Sequence, residues 1–179
     1  MKILAFAGSN SASSINKKLV KHAASFFEKH SVEILDLNHY EMPIFSIDKA
    51  ATSGIPQLAL DFAQKIDQSS LLLISLSENN GSYSAAFKNI YDWISVIPYR
   101  KAFGNKLVFI LSASTGSKGG ITVLELAKNT MPHSGAIVID TFSLPNFHEN
   151  FNDQYGIVNK NFIVAFESKI KTIKTDFLK

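Results

Sequence analysis

Residues 3–19 read ILAFAGSNSASSINKKL. Ile3 to Ala7 form a short continuous apolar run, the pattern of a strand covered on both faces. Gly8 ends the run, and six of the next eight residues are Ser or Asn. Ser13 or Ser14 can cap a helix, and Ile15, Leu19, Ala23 and Phe26 then recur at helical spacing. The stretch is a strand handing over to a helix. A plain turn at such a junction needs only one or two small polar residues. The surplus of hydroxyls and amides points to a ligand with many acceptor atoms.

The same alternation continues outward. Further strands are expected at Val32–Leu37, Leu71–Leu76, Lys106–Leu111 and Ala136–Thr141, with Lys2–Ala7 as the first. Helical stripes lie between them, at Leu58, Phe62 and Ile66 after Pro56, and at Phe162, Phe166, Ile170, Ile173 and Phe177. YEMPIFSIDKAATSGIP (40–56) and LPNFHENFNDQYG (144–156) read as loops. Five strands alternating with five helices predict an α/β fold with helices on both faces of a doubly wound sheet. At this length the expectation is a flavodoxin-like sheet of five parallel strands, order 2-1-3-4-5, in a single domain over 1–179. Ligands of such sheets bind beyond the carboxyl ends of the strands, beside the switch between strands 1 and 3.

Composition narrows the function classes. The chain has 179 residues, 46% hydrophobic and 18% charged, enough apolar content for one core. A net charge of +3 without a basic run argues against nucleic acid. No stretch is long enough to span a membrane, and the cytoplasm is the simplest location. Cysteine is absent, which excludes disulfides, thiolate catalysis and thiolate-ligated metals. The five histidines, at 22, 30, 39, 133 and 148, show no metal-ligand spacing. No metal is expected.

Three loops would meet at one edge of the sheet. The first, after strand 1, offers Ser9, Ser11, Ser13, Ser14 and Asn16 together with a helix N-terminus, a combination suited to a phosphate. It is neither a Walker loop nor a Gly-x-Gly-x-x-Gly fingerprint. The second, SLSENNGSYS (75–84), contains the turn pair Asn80-Gly81. Glu78 in it suits a backbone hydrogen bond better than acid–base work. The third, SASTGSKGG (112–120), has three glycines that let backbone approach a flat ligand. Phe147, Phe151 and Tyr155 read as an aromatic cluster that packs its own loop, with part of it lining a cleft as the alternative.

These loops resemble those of the NADPH-dependent FMN reductase family, which includes quinone, azo-dye and chromate reductases. The family's Gly-Ser-x-Arg-x-x-Ser-x-Asn-x-x-Leu is matched at Gly8, Ser9, Ser14, Asn16 and Leu19. Its Pro-Glu-Tyr-Asn, followed by Leu-Lys-Asn-Ala-x-Asp-Trp-x-Ser, is matched at Glu78, Asn80, Lys88, Asn89, Asp92, Trp93 and Ser95. Its Ser-x-Gly-x-x-Gly-Gly is matched at Ser114, Gly116, Gly119 and Gly120, and YEMPIF is similar to its Asp-Leu-Pro loop. The likeness runs to about residue 145. The chain departs at Ser11, where the family has Arg, at Ser77 and Asn79, where it has Pro and Tyr, and at Val96, where it has Arg.

The resemblance implies bound FMN, with NAD(P)H as co-substrate and hydride passed in ping-pong order to a flavin, quinone or similar planar acceptor. FMN would be held by Ser9, Ser11, Ser14, Ile15 and Asn16 at its phosphate, and by Ser77, Glu78, Asn79, Asn80, Ser114, Thr115, Gly116 and Gly119 at its ring. No catalytic side chain is implied, since the flavin carries the chemistry. An electron-carrier flavodoxin, or a non-catalytic member without flavin, is the alternative. The helix expected over Tyr83–Ile97 is apolar nearly all round. This predicts a homodimer or homotetramer, with Phe87, Tyr91 and Ile94 facing the partner.

Overall fold

The computed structural model describes residues 1–178. In chain order it contains β1 (Lys2–Gly8), α1 (Ile15–Ser25), β2 (Ser31–Leu35), α2 (Ile47–Ser53), α3 (Gln57–Asp67), β3 (Leu71–Leu76), β4 (Glu78–Asn79), β5 (Ser82–Tyr83) and α4 (Ala85–Ser95). There follow β6 (Lys106–Ala113), α5 (Ile121–Thr130), β7 (Ala136–Leu144), α6 (Phe147–Asn150), β8 (Phe151–Asn152), β9 (Gly156–Ile157) and α7 (Lys160–Phe177). Short 3-10 turns cover Leu37–Tyr40 and Met131–Ser134.

The main sheet has the order β2-β1-β3-β6-β7, every pair parallel. With the two small hairpins set aside, this is the 2-1-3-4-5 arrangement of a flavodoxin-like fold. β1, β3 and β6 are central, so side chains of both pleat faces are buried. Leu4, Phe6, Leu72, Ile74, Val108 and Ile110 face α3, α4 and α5, whereas Ile3, Ala5, Leu71, Leu73, Phe109 and Leu111 face α1 and α7. β7 carries a bulge. Val138 pairs with Val108 but Asp140 with Phe109, so Ile139 is one residue extra. In consequence Ala136 and Val138 belong to the first layer, and Phe142 and Leu144 to the second.

Several expectations are corrected. The segment 40–56 is not all loop. It contains α2, whose start is capped by Ser46 Oγ accepting from the Lys49 N–H (3.1 Å) and whose residues are all at least partly exposed. The segment 144–156 folds into α6 and the β8–β9 hairpin. β2 stops at Leu35, because the Asp36 carboxylate accepts the Asn38 N–H and starts a 3-10 turn. In α3, Leu58 is exposed, and the stripe runs through Ala59, Phe62, Ala63 and Ile66.

The partner-facing group on α4 is also overturned. Phe87, Tyr91 and Ile94 are 2%, 9% and 1% exposed within the single chain. They are buried by α3, the 40–45 segment and the 83–103 aromatic run; Tyr91 donates to Ser134 Oγ (2.7 Å) and stacks edge-on against Phe103. The large apolar residues of α4 are buried by its own chain, while Ala85, Lys88 and Ser95 are exposed.

Candidate active site

At the carboxyl end of the sheet, the loop after β1 turns into α1. Ser14 Oγ accepts from the Lys17 N–H (3.2 Å), and Ser9 Oγ accepts from the Ser11 N–H (3.3 Å). Both hydroxyl protons remain free. The first N–H groups of a helix have no intrahelical partner. Those of Ile15 and Asn16 accordingly point beyond the helix start, with no bond among the described residues. The phosphate-type site expected here is thus a set of neutral donors.

Asn16 lies deeper. It is 3% exposed and makes four hydrogen bonds. Its Nδ2 donates to Ser77 Oγ (3.3 Å) and to the Ala113 carbonyl (3.1 Å). Its Oδ1 accepts from Ser75 Oγ and from the Ala113 N–H, both at 2.8 Å. Asn16 therefore buckles α1 to the ends of β3 and β6, and its side chain has no group left for a ligand. Ser77 Oγ accepts that bond and keeps its own proton free. Ser84 is committed to the fold, donating to the Gly8 carbonyl (2.8 Å) while it caps α4.

The 78–83 stretch is the β4–β5 hairpin, closed by Asn80 and Gly81 at φ of 52° and 74°, the two left-handed residues of a type I′ turn. Tyr83 anchors it: its hydroxyl is 2.8 Å from Thr130 Oγ1, and burial pushes its pKa up to about 12. Glu78 Oε2 accepts from the Val123 N–H (3.0 Å). The carboxylate thus caps α5, whose own N-cap, Gly120, has no side chain to offer. Its backbone bond is made to a distant helix and not within its own loop.

The loop after β6 brings Ser114 and Thr115 to the same place. Ser114 Oγ donates to the Gly116 carbonyl (2.9 Å), and Thr115 is exposed. Gly119 has a φ of 61°, and a Cβ there would overlap Ser143 Oγ. A Cβ on Gly120 (φ 72°) would overlap Ser112 Oγ. Both glycines are buried and serve close packing of the loop on β6 and β7, not approach to a ligand.

The three loops enclose a crevice of about 400 Å³, within the usual size range of small-molecule sites. Of the expected residues it is lined by Ser9, Ser11, Ser14, Ile15, Asn16, Ser77, Glu78, Asn79, Ser114 and Thr115. Asn80, Gly116 and Gly119 lie outside that lining. Asn10, Ser13, Ser84 and Ala113 also line it. All four stand within the three quoted loops, Asn10 and Ser13 in the first, Ser84 in the second and Ala113 in the third. Among the described residues no cation lines the crevice. Two lysines of α1 are held in ion pairs, Lys17 with Asp36, whose carboxyl it holds below the ordinary range, and Lys18 with Asp153 (2.8 Å).

This donor set fits FMN. Ser9, Ser11, Ser13 and Ser14 with the α1 N-terminus can meet phosphate oxygens. The backbone of 77–79 and 114–116 can meet a planar polar edge on the neighbouring strand ends. Among the described residues no group of three or more His, Asp or Glu converges as metal ligands would. No helix of those residues is long and apolar enough to cross a membrane.

Known proteins agree with this architecture. In the solved structures, the flavoenzyme NAD(P)H:(acceptor) oxidoreductase FerB of Paracoccus denitrificans superposes with a TM-score of 0.77 at 20% identity, covering 96% of this chain and 93% of that one. An apo NADH:FMN oxidoreductase gives 0.71 at 17% identity, with 98% and 89% covered. At these identities the likeness is one of fold. A 2-hydroxy-1,4-benzoquinone reductase of Burkholderia sp is 32% identical over 120 residues, 66% of this chain and 63% of that protein. An NADPH:quinone oxidoreductase of Arabidopsis thaliana is 29% identical over 123 residues, 67% and 61%. The chain thus spans about three fifths of each of these two relatives. The family model described as NADPH-dependent FMN reductase matches residues 1–149. With that match over most of its length, this chain belongs to the NADPH-dependent FMN reductase family.

Proposed function

We propose that the crevice holds FMN and that the protein is an NAD(P)H oxidoreductase acting on a flavin, quinone or similar planar acceptor in ping-pong order. The observation that carries this reading is the cluster of hydroxyls around the start of α1, at the switch between β1 and β3, with the protons of Ser9 and Ser14 left free by the bonds they accept. Bound FMN would supply the hydride chemistry, taking two electrons from the nicotinamide and giving them to the acceptor. The chain binds and orients. Ser9, Ser11, Ser13, Ser14 and the Ile15 N–H hold the phosphate. Ser77 and the backbone of 78–79 and 114–116 face the ring. Glu78 does no acid–base work, because its carboxylate is held on α5.

Hydrogen bonds to a charged group contribute about 1.5–3 kcal/mol each, and a helix N-terminus adds about 0.3–1 kcal/mol for a nearby anion. Several such bonds can stand in for the arginine that is Ser11 here. Replacing Ser14 by Glu sets a carboxylate against the phosphate and removes a donor. FMN affinity should fall by about 10²-fold, since each 1.4 kcal/mol is tenfold, while riboflavin affinity changes little. Flavin-fluorescence titration reads both. A wild type that does not prefer FMN to riboflavin would sink the phosphate assignment. NAD(P)H oxidation on adding a quinone to the FMN-loaded protein tests the activity: binding without oxidation indicates an electron carrier, and no flavin binding a non-catalytic member.

A further inference from the structure

A second cavity, of about 240 Å³, opens beside the crevice. The two share Asn10, and Ser84 of the crevice is followed directly by Ala85 of the cavity. Leu37, Tyr40, Met42 and Ile90 supply its apolar wall, and Asn10, Asn38, Glu41 and Asn89 line it with polar groups. The wall formed by residues 42–45 is pinned to α4. Asn89 accepts the Phe45 N–H (2.8 Å) and donates to the Met42 and Pro43 carbonyls (3.2 Å each), and Trp93 Nε1 donates to the Pro43 carbonyl (2.7 Å). The cavity is therefore preformed. Glu41 is its one charged lining residue; it is exposed and makes no ion pair among the described residues.

These features restrict the occupant. An apolar cavity of about 150 Å³ accommodates benzene, so this one has room for a substituted ring. A nicotinamide dinucleotide brings phosphates, which would find a carboxylate and no cation. We propose that the cavity seats an uncharged or cationic apolar ring of the electron acceptor, and that Glu41 sets selectivity against anionic acceptors. The proposal rests on the reductase reading above for the word acceptor, but the binding it describes can be measured without turnover.

Calorimetry on FMN-loaded protein without NAD(P)H, using naphthoquinone and naphthoquinone sulfonate as probes, tests it. A carboxylate and a sulfonate within one cavity repel by about 1 kcal/mol at intermediate dielectric, so the wild type should favour the neutral quinone by about fivefold or more. Glu41→Gln should remove most of that preference, and Glu41→Lys should reverse it. Ala86→Phe, which fills the cavity from α4, should abolish binding of both probes. A preference that survives Glu41→Lys in protein folded by circular dichroism overturns the proposal, as does quinone binding that survives Ala86→Phe. If the binding pattern holds but NAD(P)H is never oxidised, the charge-selective cavity stands and the reductase reading fails. Oxidation with no dependence on Glu41 has the opposite meaning.

Discussion

Asn16 has two donor hydrogens and two acceptor lone pairs, and the chain uses all four. Replacing it by Ala would leave the Ser75 hydroxyl and the Ala113 N–H and C=O buried without partners. Each such group costs about 1–3 kcal/mol, so Asn16→Ala should destabilise the fold by at least about 3 kcal/mol. The check is a lower urea midpoint at unchanged slope. A loss of FMN affinity without loss of stability would instead make the side chain a ligand. The sequence invites that second view, because Asn16 occupies a motif position in a polar loop. Its role is hidden there because Ser75 and Ala113 lie 59 and 97 residues away. Ser9 and Ser14 were legible for the converse reason: a hydroxyl beside a helix start acts within a few residues of itself.

Elements were legible where burial imposes a period. β1, β3 and β6 are covered on both faces and read as unbroken apolar runs. α2 was not, since none of its residues is buried and Ile47 is 69% exposed, so no stripe marks it. Only its ends, Ser46 and Gly54, carry a signal. α4 was legible as a helix and misread in its surroundings, because apolar residues buried by their own chain and ones buried by a partner present the same pattern. α5 yields a test at this scale. Its N-terminus is capped by Glu78 from another element, so Glu78→Ala should cost about 1 kcal/mol and Glu78→Gln, which keeps an acceptor oxygen, much less. Thermal melts of the two variants compare these. Equal stability of Ala and Gln variants would mean that the cap contributes nothing.

The β8–β9 hairpin packs on α1 and α7 around His22. Its ring lies 5.2 Å from Phe26, 5.7 Å from Phe151 and 5.6 Å from Phe166, centroid to centroid. Lys18, Lys21 and Asp153 line one cavity beside His22, and Glu167 lines a second one with it from α7. Burial holds the His22 pKa below its ordinary 6.5, opposed by the Glu167 charge. The folded state thus binds fewer protons than the unfolded state just below pH 6.5, and stability rises with pH there. His22 contributes in full above that pH and loses its contribution as pH falls through the depressed folded value. Denaturation at pH 7.5 and 5.5 should show lower stability at the acid end, and His22→Phe should flatten that difference. The carboxylates of Glu33 and Asp36, held low by lysines, act only in a more acid window. Being largely solvated, they contribute little.

The bulge at Ile139 has a consequence for changes of chain length. Losing one residue from β1, β3 or β6 would turn every later side chain of that strand to the opposite face. β7 carries one residue in reserve. Without Ile139, Val138 would still stand opposite Val108 and Asp140 opposite Phe109, so Asp140 would still meet Lys169, and Phe142 and Leu144 would still sit under α7. A single deletion there spends a kink and one partly buried side chain, whereas elsewhere in the sheet it would turn the strand inside out.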